Sequence, residues 1–212
     1  MNTHWKVIPT LLLVLASMTA RADLDSDIAH LQQRWAEVNY QLEGKTQLSE
    51  FARLVEEAGQ TIAMYPDAAE GWIWSGIIKS TYAGAKGGLG ALSLAKESRA
   101  DLEKALSLDD KALDGSAYTS LGTLYYSVPG WPVGFGDDDK AEELLKKALA
   151  LKPDGIDQNY FYGSYLISEK RYAEARRYLE KARKAPPRPG RQLADEGRQK
   201  EILSAMADIA NK

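Results

Sequence analysis

The feature of this sequence that most constrains its fold is an internal repeat of a short pattern, in which an aromatic or polar residue precedes a glycine by four positions. The three copies lie at Trp72 and Gly76, at Tyr118 and Gly122, and at Asn159 and Gly163. Each copy is followed by an amphipathic, helix-like segment built around one alanine, and the three alanines are Ala105, Ala148 and Ala182. Helices approach most closely where they carry small residues, so the pattern predicts pairs of packed helices.

The separation between each alanine and the next glycine tests the repeat independently. The separation is 15 positions from Ala148 to Gly163 and again from Ala182 to Gly197. It is 17 positions from Ala105 to Gly122. The longer separation indicates one longer connection. Because Gly197 stays in register, the segment 193–210 is expected to be a capping helix that forms half of a further repeat.

This pattern resembles the tetratricopeptide repeat (TPR), a helix-turn-helix unit of about 34 residues, and the resemblance covers most of the chain. The last copy fits the family best, and its matching positions are Gly163, Ala175, Leu179, Ala182 and Pro187. The first copy is degenerate, as end repeats often are. The resemblance implies an all-α helical solenoid of about four helix-turn-helix repeats and a C-terminal capping helix. We place the repeats at residues 30–68, 69–114, 115–155 and 156–189.

Two neighbouring repeats contain extra residues at the turn between their helices. The glycine and the alanine of the last repeat are 19 positions apart, whereas this separation is 29 in the second repeat and 26 in the third. The insertions of 10 and 7 residues include GAKGGLGA (84–91) and SVPGWPVGFGD (127–137). We expect the first to be a flexible or tightly bent loop. Equivalent turns emerge on one edge of a solenoid, so the insertions should lie side by side, where repeat proteins often bind partners.

The N-terminus has the pattern of a secretory signal peptide over residues 1–22. Lys6 provides the positive charge, residues 7–16 are an almost unbroken apolar run, and Ala20-Arg21-Ala22 is a small-x-small cleavage pattern. The alternative, a buried N-terminal helix, fits poorly with the proline and the polar flank of this segment. Cleavage leaves residues 23–212 as a single solenoid domain.

Charge and cysteine content exclude several functional classes. Removal of the signal peptide changes the formal net charge from −3 to −5, so nucleic acid is not an expected partner. The chain contains no cysteine, and therefore has neither disulfides nor the residue to which a bacterial lipoprotein attaches its lipid. No later apolar run approaches the ~20 residues of a membrane span. In a Gram-negative bacterium the mature protein is expected to be soluble and periplasmic.

Catalysis and cofactor binding find little support. Beyond the signal peptide the chain has one histidine, His30, and no serine near a candidate base, so we expect neither an enzyme nor a cofactor. The run Asp137, Asp138, Asp139 is best explained as the N-cap and first turn of a helix. A calcium or magnesium site is the alternative, but three consecutive aspartates cannot all face one ion. The segment GAKGGLG lacks the Gly-Lys-Ser/Thr ending of a phosphate-binding loop.

Binding residues are expected on the inner surface, which the first helix of each repeat lines. By register this surface contains uncharged and aromatic side chains: Ile73, Trp74, Ile77, Thr119, Thr123, Tyr126, Tyr160, Phe161 and Ile167. It suits an apolar ligand, an amphipathic helix or another protomer better than a peptide carboxylate. The alternative for several of these residues is packing between helices.

The second insertion and the C-terminal arginines allow two interpretations each. Pro129 and Pro132 restrict the backbone, so Trp131 and Phe135 are candidate preorganised anchors for a ligand or partner. Alternatively, both rings fill the gap that the insertion creates. The arginines of the C-terminal segment are expected on a solvated surface, with docking to an acidic partner as the alternative; they are Arg188, Arg191 and Arg198.

A second, finer resemblance concerns the long turn before GDDDKAEELLKKALAL in a short exported chain of degenerate repeats. It is similar to the T component of tripartite ATP-independent periplasmic (TRAP) transporters. This resemblance implies a scaffold that oligomerises, contacts a periplasmic solute-binding protein and holds a hydrophobic ligand. This chain differs from any membrane-tethered member of that family because it lacks the cysteine to which a lipid would be attached. Two functions follow: a non-catalytic scaffold for protein partners or self-association and, as the alternative, a carrier of a small apolar ligand.

Overall fold

The computed structural model describes the backbone of residues 8–212, and the side chains of Arg21 and of residues 23–212 apart from Leu89. The predicted signal peptide lies in part outside the described residues, and its cleavage stays a prediction. The described chain forms nine α-helices: α1 (Ile8–Gln41), α2 (Gly44–Met64), α3 (Ala69–Lys86), α4 (Gly88–Leu108), α5 (Ala112–Ser127), α6 (Asp138–Leu151), α7 (Ile156–Ser168), α8 (Tyr172–Arg183) and α9 (Gln192–Asp208).

The helices stack as consecutive antiparallel pairs. Helix α1 pairs with α2, α3 with α4, α5 with α6 and α7 with α8, while α9 packs on the last pair. Each pair also contacts the next, so the apolar faces of neighbouring units are buried against one another in a continuous core. The prediction of an all-α solenoid of about four helix-turn-helix repeats and a C-terminal capping helix is confirmed.

The repeated glycines lie where the two helices of a unit cross. A Cβ atom at Gly76 would lie 2.5 Å from Leu102, one at Gly122 2.8 Å from Leu145, and one at Gly163 3.0 Å from Leu179. Each of these leucines precedes the repeated alanine by three positions, and the alanines, Ala105, Ala148 and Ala182, are fully buried. The same glycine–leucine contact thus recurs in three units, which explains the fixed spacing in the sequence.

The first insertion is helical, and our expectation of a flexible or bent loop over GAKGGLGA is wrong. Helix α3 continues to Lys86 and α4 begins at Gly88, so only Gly87 separates them. Gly87 has a φ of 62°, a value that glycine adopts without the strain of a side chain. The extra residues lengthen the helices instead: α3 and α4 have 18 and 21 residues, against 13 and 12 in α7 and α8.

The second insertion is a loop between α5 and α6 that its own backbone holds in place. The amide of Gly136 donates to the carbonyl of Pro129 at 3.0 Å, and the amide of Asp137 donates to the carbonyl of Tyr125 at 2.9 Å. The chain passes so close to itself that a Cβ atom at Gly136 would collide with the carbonyl of Val128. The glycines of this loop therefore permit a close backbone contact.

The first and last helices of the solenoid meet. Tyr40, near the end of α1, lies against Gly197 of α9, where any Cβ atom would be 2.4 Å from the tyrosine ring. The two helices are far apart in sequence, so their contact closes the curved stack into a ring-like wall. Among the described residues, no helix is both long and apolar enough to cross a membrane.

Candidate functional site

The concave side of the curved stack contains a half-open cavity of about 600 Å³. Helices α1, α3, α4, α5, α7 and α9 and the 128–137 loop all contribute to its wall. Such a site requires the contact between α1 and α9, because without it the concave face would be an open groove. Its volume lies within the range of natural small-molecule sites, about 300–1,000 Å³.

Most of the cavity wall is apolar or aromatic. Trp35 of α1 and Trp74 of α3 meet edge to face with their ring centroids 6.0 Å apart, and the indole of Trp35 donates to Thr81 Oγ1 at 3.0 Å. The remaining apolar wall comes from α3, α4, α5 and the loop, and its side chains include Ile77, Leu92, Ala95, Leu124, Val128 and Val133. This lining favours a ligand with a large apolar body.

The two insertions share this wall. Residues of the lengthened α4 and of the 128–137 loop line the same cavity. The Arg99 guanidinium of α4 also lies 4.5 Å from the ring centroid of Phe135 in the loop. The extra residues of the second and third repeats are thus adjacent and shape one side of the site.

The opposite end of the cavity is charged. Asp157, at the start of α7, accepts hydrogen bonds from Arg188 Nη1 at 2.5 Å and from Arg198 Nε at 2.8 Å. Arg188 also donates to Asp195 at 2.7 Å, and Arg198 donates to Glu201. Two arginines and three carboxylates therefore form one network between α7 and α9.

This network favours the charged forms of Asp157, Arg188 and Arg198. Burial by itself would raise the pKa of Asp157, but the positive charges of Arg198 and Arg188 outweigh it and lower that pKa to about 2. Burial likewise opposes the charge on Arg198, yet Asp157 and the surrounding groups raise its pKa above the ordinary arginine value. Arg198 also lies under the rings of Tyr160 and Phe161, each centroid 4.5 Å from its Cζ.

Arg191 lies outside this network. Its guanidinium carbon is 5.2 Å from the ring centroid of Trp74, across the cavity end. Among the described residues its side chain forms no ion pair, and its buried Nε has no hydrogen-bond partner. Burial, and then the nearby charge of Arg188, lower the pKa of Arg191 to about 10, so it stays protonated at neutral pH.

Two further polar groups in the wall have no partner among the described residues. They are the indole Nε1 of Trp74 and the hydroxyl of Thr119, both buried. Buried polar groups in native proteins are almost always hydrogen-bonded, so these two unpaired groups are unusual features of the wall.

The structure brings together three of the residues expected to bind. Trp74, Tyr160 and Phe161 all line the cavity. Tyr126 does not; it contacts Tyr165 with ring centroids 5.8 Å apart, and burial raises its pKa. Of the other inner-surface residues, Ile77, Thr119 and Thr123 line the cavity, whereas Ile73 is buried in the core and Ile167 packs against it.

The two aromatic rings of the loop have different environments. Phe135 is half-buried and meets Tyr125 edge to face with centroids 5.6 Å apart, so it closes the gap that the insertion creates. The side chain of Trp131 is 89% exposed at the loop tip. Trp131 thus neither plugs the loop nor lines the cavity.

Two expectations about charge are wrong. The inner surface is not uncharged, because α9 and the segment before it bring Arg188, Arg191 and Arg198 into the cavity wall. These arginines are not a solvated surface either, since Arg198 is 7% exposed and the other two are half-buried. The sequence contains the signal that could have found them, because Gly197 places α9 in register with the first helices of the repeats.

The remaining predicted positions have structural surroundings. Trp72 donates from its indole to the carbonyl of Pro66 at 2.9 Å, across the turn into α3. The carboxylate of Asp137 accepts from the amide of Lys140 at 2.9 Å and caps α6, whose first turn contains Asp138 and Asp139. Among the described residues, no group of three histidine, cysteine or acidic side chains is arranged to hold a metal ion.

Comparison with solved structures identifies the fold. The chain is similar to TTC0263, described as a thermophilic TPR protein of Thermus thermophilus, with 20% identity, a TM-score of 0.56 and 76% of each chain covered. It also matches MamA, with 20% identity, a TM-score of 0.46 and coverage of 78% of this chain and 90% of that one. For Pseudomonas aeruginosa PilF the identity is 13% and the TM-score is 0.36, and the match covers 87% of this chain and 95% of that one.

The likeness to TTC0263 shows that the solenoid is a TPR fold. No protein-family model matches the chain, and no curated protein matches it either.

Proposed function

We propose that this chain is an exported, non-catalytic TPR protein that holds a small, largely apolar molecule in its central cavity. The observation that carries this function is the cavity of about 600 Å³, which is walled by six helices and one loop and is lined mainly by apolar side chains. Its size and lining lie within the range of natural small-molecule sites.

The absence of catalytic candidates around the cavity supports a binding function. Among the described lining residues, the titratable groups are acids and arginines that are engaged with one another, apart from Arg191 and the phenol of Tyr160. Asp157, Arg188 and Arg198 are held in their charged forms, whereas general acid–base catalysis needs a pKa near the working pH. Within the described part of this wall, no nucleophile lies beside a free base.

Export to the periplasm is part of the same proposal. It is supported by the leader pattern of residues 1–22. A ligand-holding protein in that compartment fits the resemblance to the TRAP T component, which implies contact with a periplasmic solute-binding protein.

Native mass spectrometry tests ligand binding. The protein, expressed with its leader and purified from periplasm, is expected to have an excess mass that disappears on denaturation. The variant Ser120→Phe, which places a ring in the cavity from α5, should lose this excess mass. The matched variant Ser93→Phe adds the same ring to an exposed site on α4 and should retain it.

The neutral fluorophore N-phenyl-1-naphthylamine provides a second readout if the natural ligand is lost in purification. We expect saturable fluorescence enhancement with the wild type and with Ser93→Phe, and little with Ser120→Phe. A bare chain in the mass spectrum, together with no enhancement or with equal enhancement in all three proteins, would contradict a ligand site in this cavity.

Docking of a protein partner is a second function, which the exposed Trp131 favours. Its ring and the side chain of Val133, 64% exposed, lie at the tip of a loop fixed by backbone hydrogen bonds. Exposed aromatic residues on rigid loops are frequent anchors in protein interfaces, because little freedom is lost on binding. Partners of this surface include another copy of the chain and the solute-binding protein that the resemblance implies.

Site-specific photocrosslinking tests this surface. A benzophenone amino acid at position 131 should give a discrete adduct in cells, and the same group at the exposed Lys104 on α4 should not. An adduct of twice the monomer mass identifies self-association, whereas any other discrete mass identifies a different protein. Equal, diffuse labelling from both positions would count against docking through Trp131.

A further inference from the structure

We infer that the cavity recognises an anionic head group on its apolar ligand, and that Arg191 binds it. This inference rests on the proposed ligand-holding function and names the chemical class of the ligand: an apolar body with one carboxylate or similar anion. Three observations support it, namely the hydrogen-bonding state of Arg191, its contact with Trp74 and the apolar wall opposite.

The hydrogen-bonding state of Arg191 differs from that of its two neighbours. Arg188 and Arg198 use their donors on Asp157, Asp195 and Glu201. The side chain of Arg191 donates to no group among the described residues, although a guanidinium carries five N–H donors in a planar fork. That fork matches a carboxylate in a two-point contact.

The electrostatic environment of Arg191 favours an incoming anion. The pKa of Arg191 is lowered to about 10, first by burial and then by the positive charge of Arg188. Burial and the nearby positive charge of Arg188 both leave the charge of Arg191 poorly compensated by the protein. Asp157 and Asp195 offset part of this effect through space, but the hydrogen bonds that they accept from side chains come from Arg188 and Arg198 and not from Arg191. An anion would supply the missing partner in a largely apolar site, where such hydrogen bonds are strong.

Trp74, which is part of the apolar wall, also holds the side chain of Arg191 in position. Its guanidinium lies 5.2 Å from the ring centroid of Trp74, within the range of cation–π attraction. Trp74 is itself buried and contacts Trp35, so the guanidinium is held rather than free to swing into solvent. The charged and apolar parts of the site therefore meet at one residue, as an amphipathic ligand requires.

Two related fluorophores test the inference. 1-Anilinonaphthalene-8-sulfonate and N-phenyl-1-naphthylamine share the same aromatic body, and only the first carries an anionic group. We expect the wild type to bind the sulfonate about tenfold or more tightly than the neutral probe. Arg191→Gln should remove most of that difference by weakening the sulfonate, while binding of the neutral probe changes by less than about twofold.

Two control variants separate recognition from general effects. Arg177→Gln removes the same charge at an exposed position on α8 and should leave both probes unaffected. Arg191→Lys keeps the positive charge but loses the planar fork, and should retain part of the preference for the sulfonate. Unchanged binding of the neutral probe also shows that Arg191→Gln is folded with its cavity intact.

The outcomes distinguish this inference from the proposed function. If the wild type binds both probes equally and Ser120→Phe abolishes both, the cavity binds ligands but does not select an anion, and the inference is overturned. The inference is also overturned if Arg191→Gln weakens both probes to the same extent, because Arg191 then only supports the structure. If the wild type binds neither probe, the proposed function itself fails.

Discussion

Asp157 of α7 accepts a hydrogen bond from the buried Arg198 of α9 at 2.8 Å, and this ion pair joins the last repeat to the capping helix. The second oxygen of the same carboxylate accepts from Arg188 at 2.5 Å. One acid thus compensates two arginines at the edge of the cavity. Since α9 also contacts α1, this pair lies near the place where the two ends of the stack meet.

Asp157→Asn should destabilise the protein substantially. The amide cannot compensate the charges of Arg198 and Arg188, and because Asp157 and Arg188 are only partly buried we expect a loss of about 2 kcal/mol, below the roughly 3–5 kcal/mol typical of a fully buried pair. Urea unfolding at neutral pH measures the loss. Asp154→Asn, at an exposed position three residues earlier, is the control and should change the free energy of unfolding by less than about 0.5 kcal/mol. A similar small effect from both variants would show that the pair contributes no net stability.

The contribution of Asp157 should depend on pH in the acid range. Its pKa is about 2 in the folded protein and about 3.9 in an unfolded chain, so the unfolded state takes up the proton first as the pH falls. The stabilisation is therefore complete above about pH 5 and is lost as the pH falls through the folded pKa near 2.

We expect the difference in unfolding free energy between the wild type and Asp157→Asn to be constant from pH 7 to about 5. Below about pH 4 it should shrink, by about 2 kcal/mol in all by pH 2. Urea midpoints recorded for both proteins at each pH test this. A difference that stays constant to pH 2 would show that the carboxylate of Asp157 is not held in its charged form.

Gly76→Ala should destabilise the crossing of α3 and α4. The new methyl would lie 2.5 Å from Cγ of the fully buried Leu102, so one of the two helices must shift, at a cost of about 1–3 kcal/mol. Gly59→Ala provides the opposite control, because its Cβ meets nothing within 4 Å on an exposed helix face. That change should stabilise α2 by up to about 1 kcal/mol. Thermal melting distinguishes the two, and an equal shift in both would disprove the packing explanation.

The two aromatic residues of the 128–137 loop should respond differently to truncation. Phe135→Ala removes the contacts with Tyr125 and Arg99 and should lower the free energy of unfolding by about 2 kcal/mol. Trp131→Ala should change it by less than about 0.5 kcal/mol, because the ring is 89% exposed. Chemical denaturation of the two variants compares them directly. Destabilisation by Trp131→Ala as large as that by Phe135→Ala would place Trp131 in a packing role.

Much of the solenoid could be predicted from the sequence because its decisive contacts are local. Gly163 meets Leu179 within one helix pair, and the same glycine–leucine contact recurs in two other pairs, so a fixed spacing in the sequence records it. The sequence did not show how the first insertion would be accommodated. The glycines of GAKGGLGA suggested a loop, but α3 and α4 continue through this segment although residues 84–88 are exposed. The low helix propensity of glycine, about 1 kcal/mol per residue relative to alanine, is too small to exclude a helix.

The repeated helix pairs, the number of units and the capping helix follow from the spacing of small residues, because a regular interval requires the same close crossing in each unit. The side chains that line the cavity depend instead on how the units are arranged in three dimensions. Arg191 and Trp74 are 117 positions apart, and they meet because the curvature of the whole stack brings α9 across the concave face. Curvature is the sum of many small rotations between units, and no local spacing in the sequence encodes that sum. As a result, the C-terminal arginines, which we expected on a solvated surface, form the charged end of the cavity.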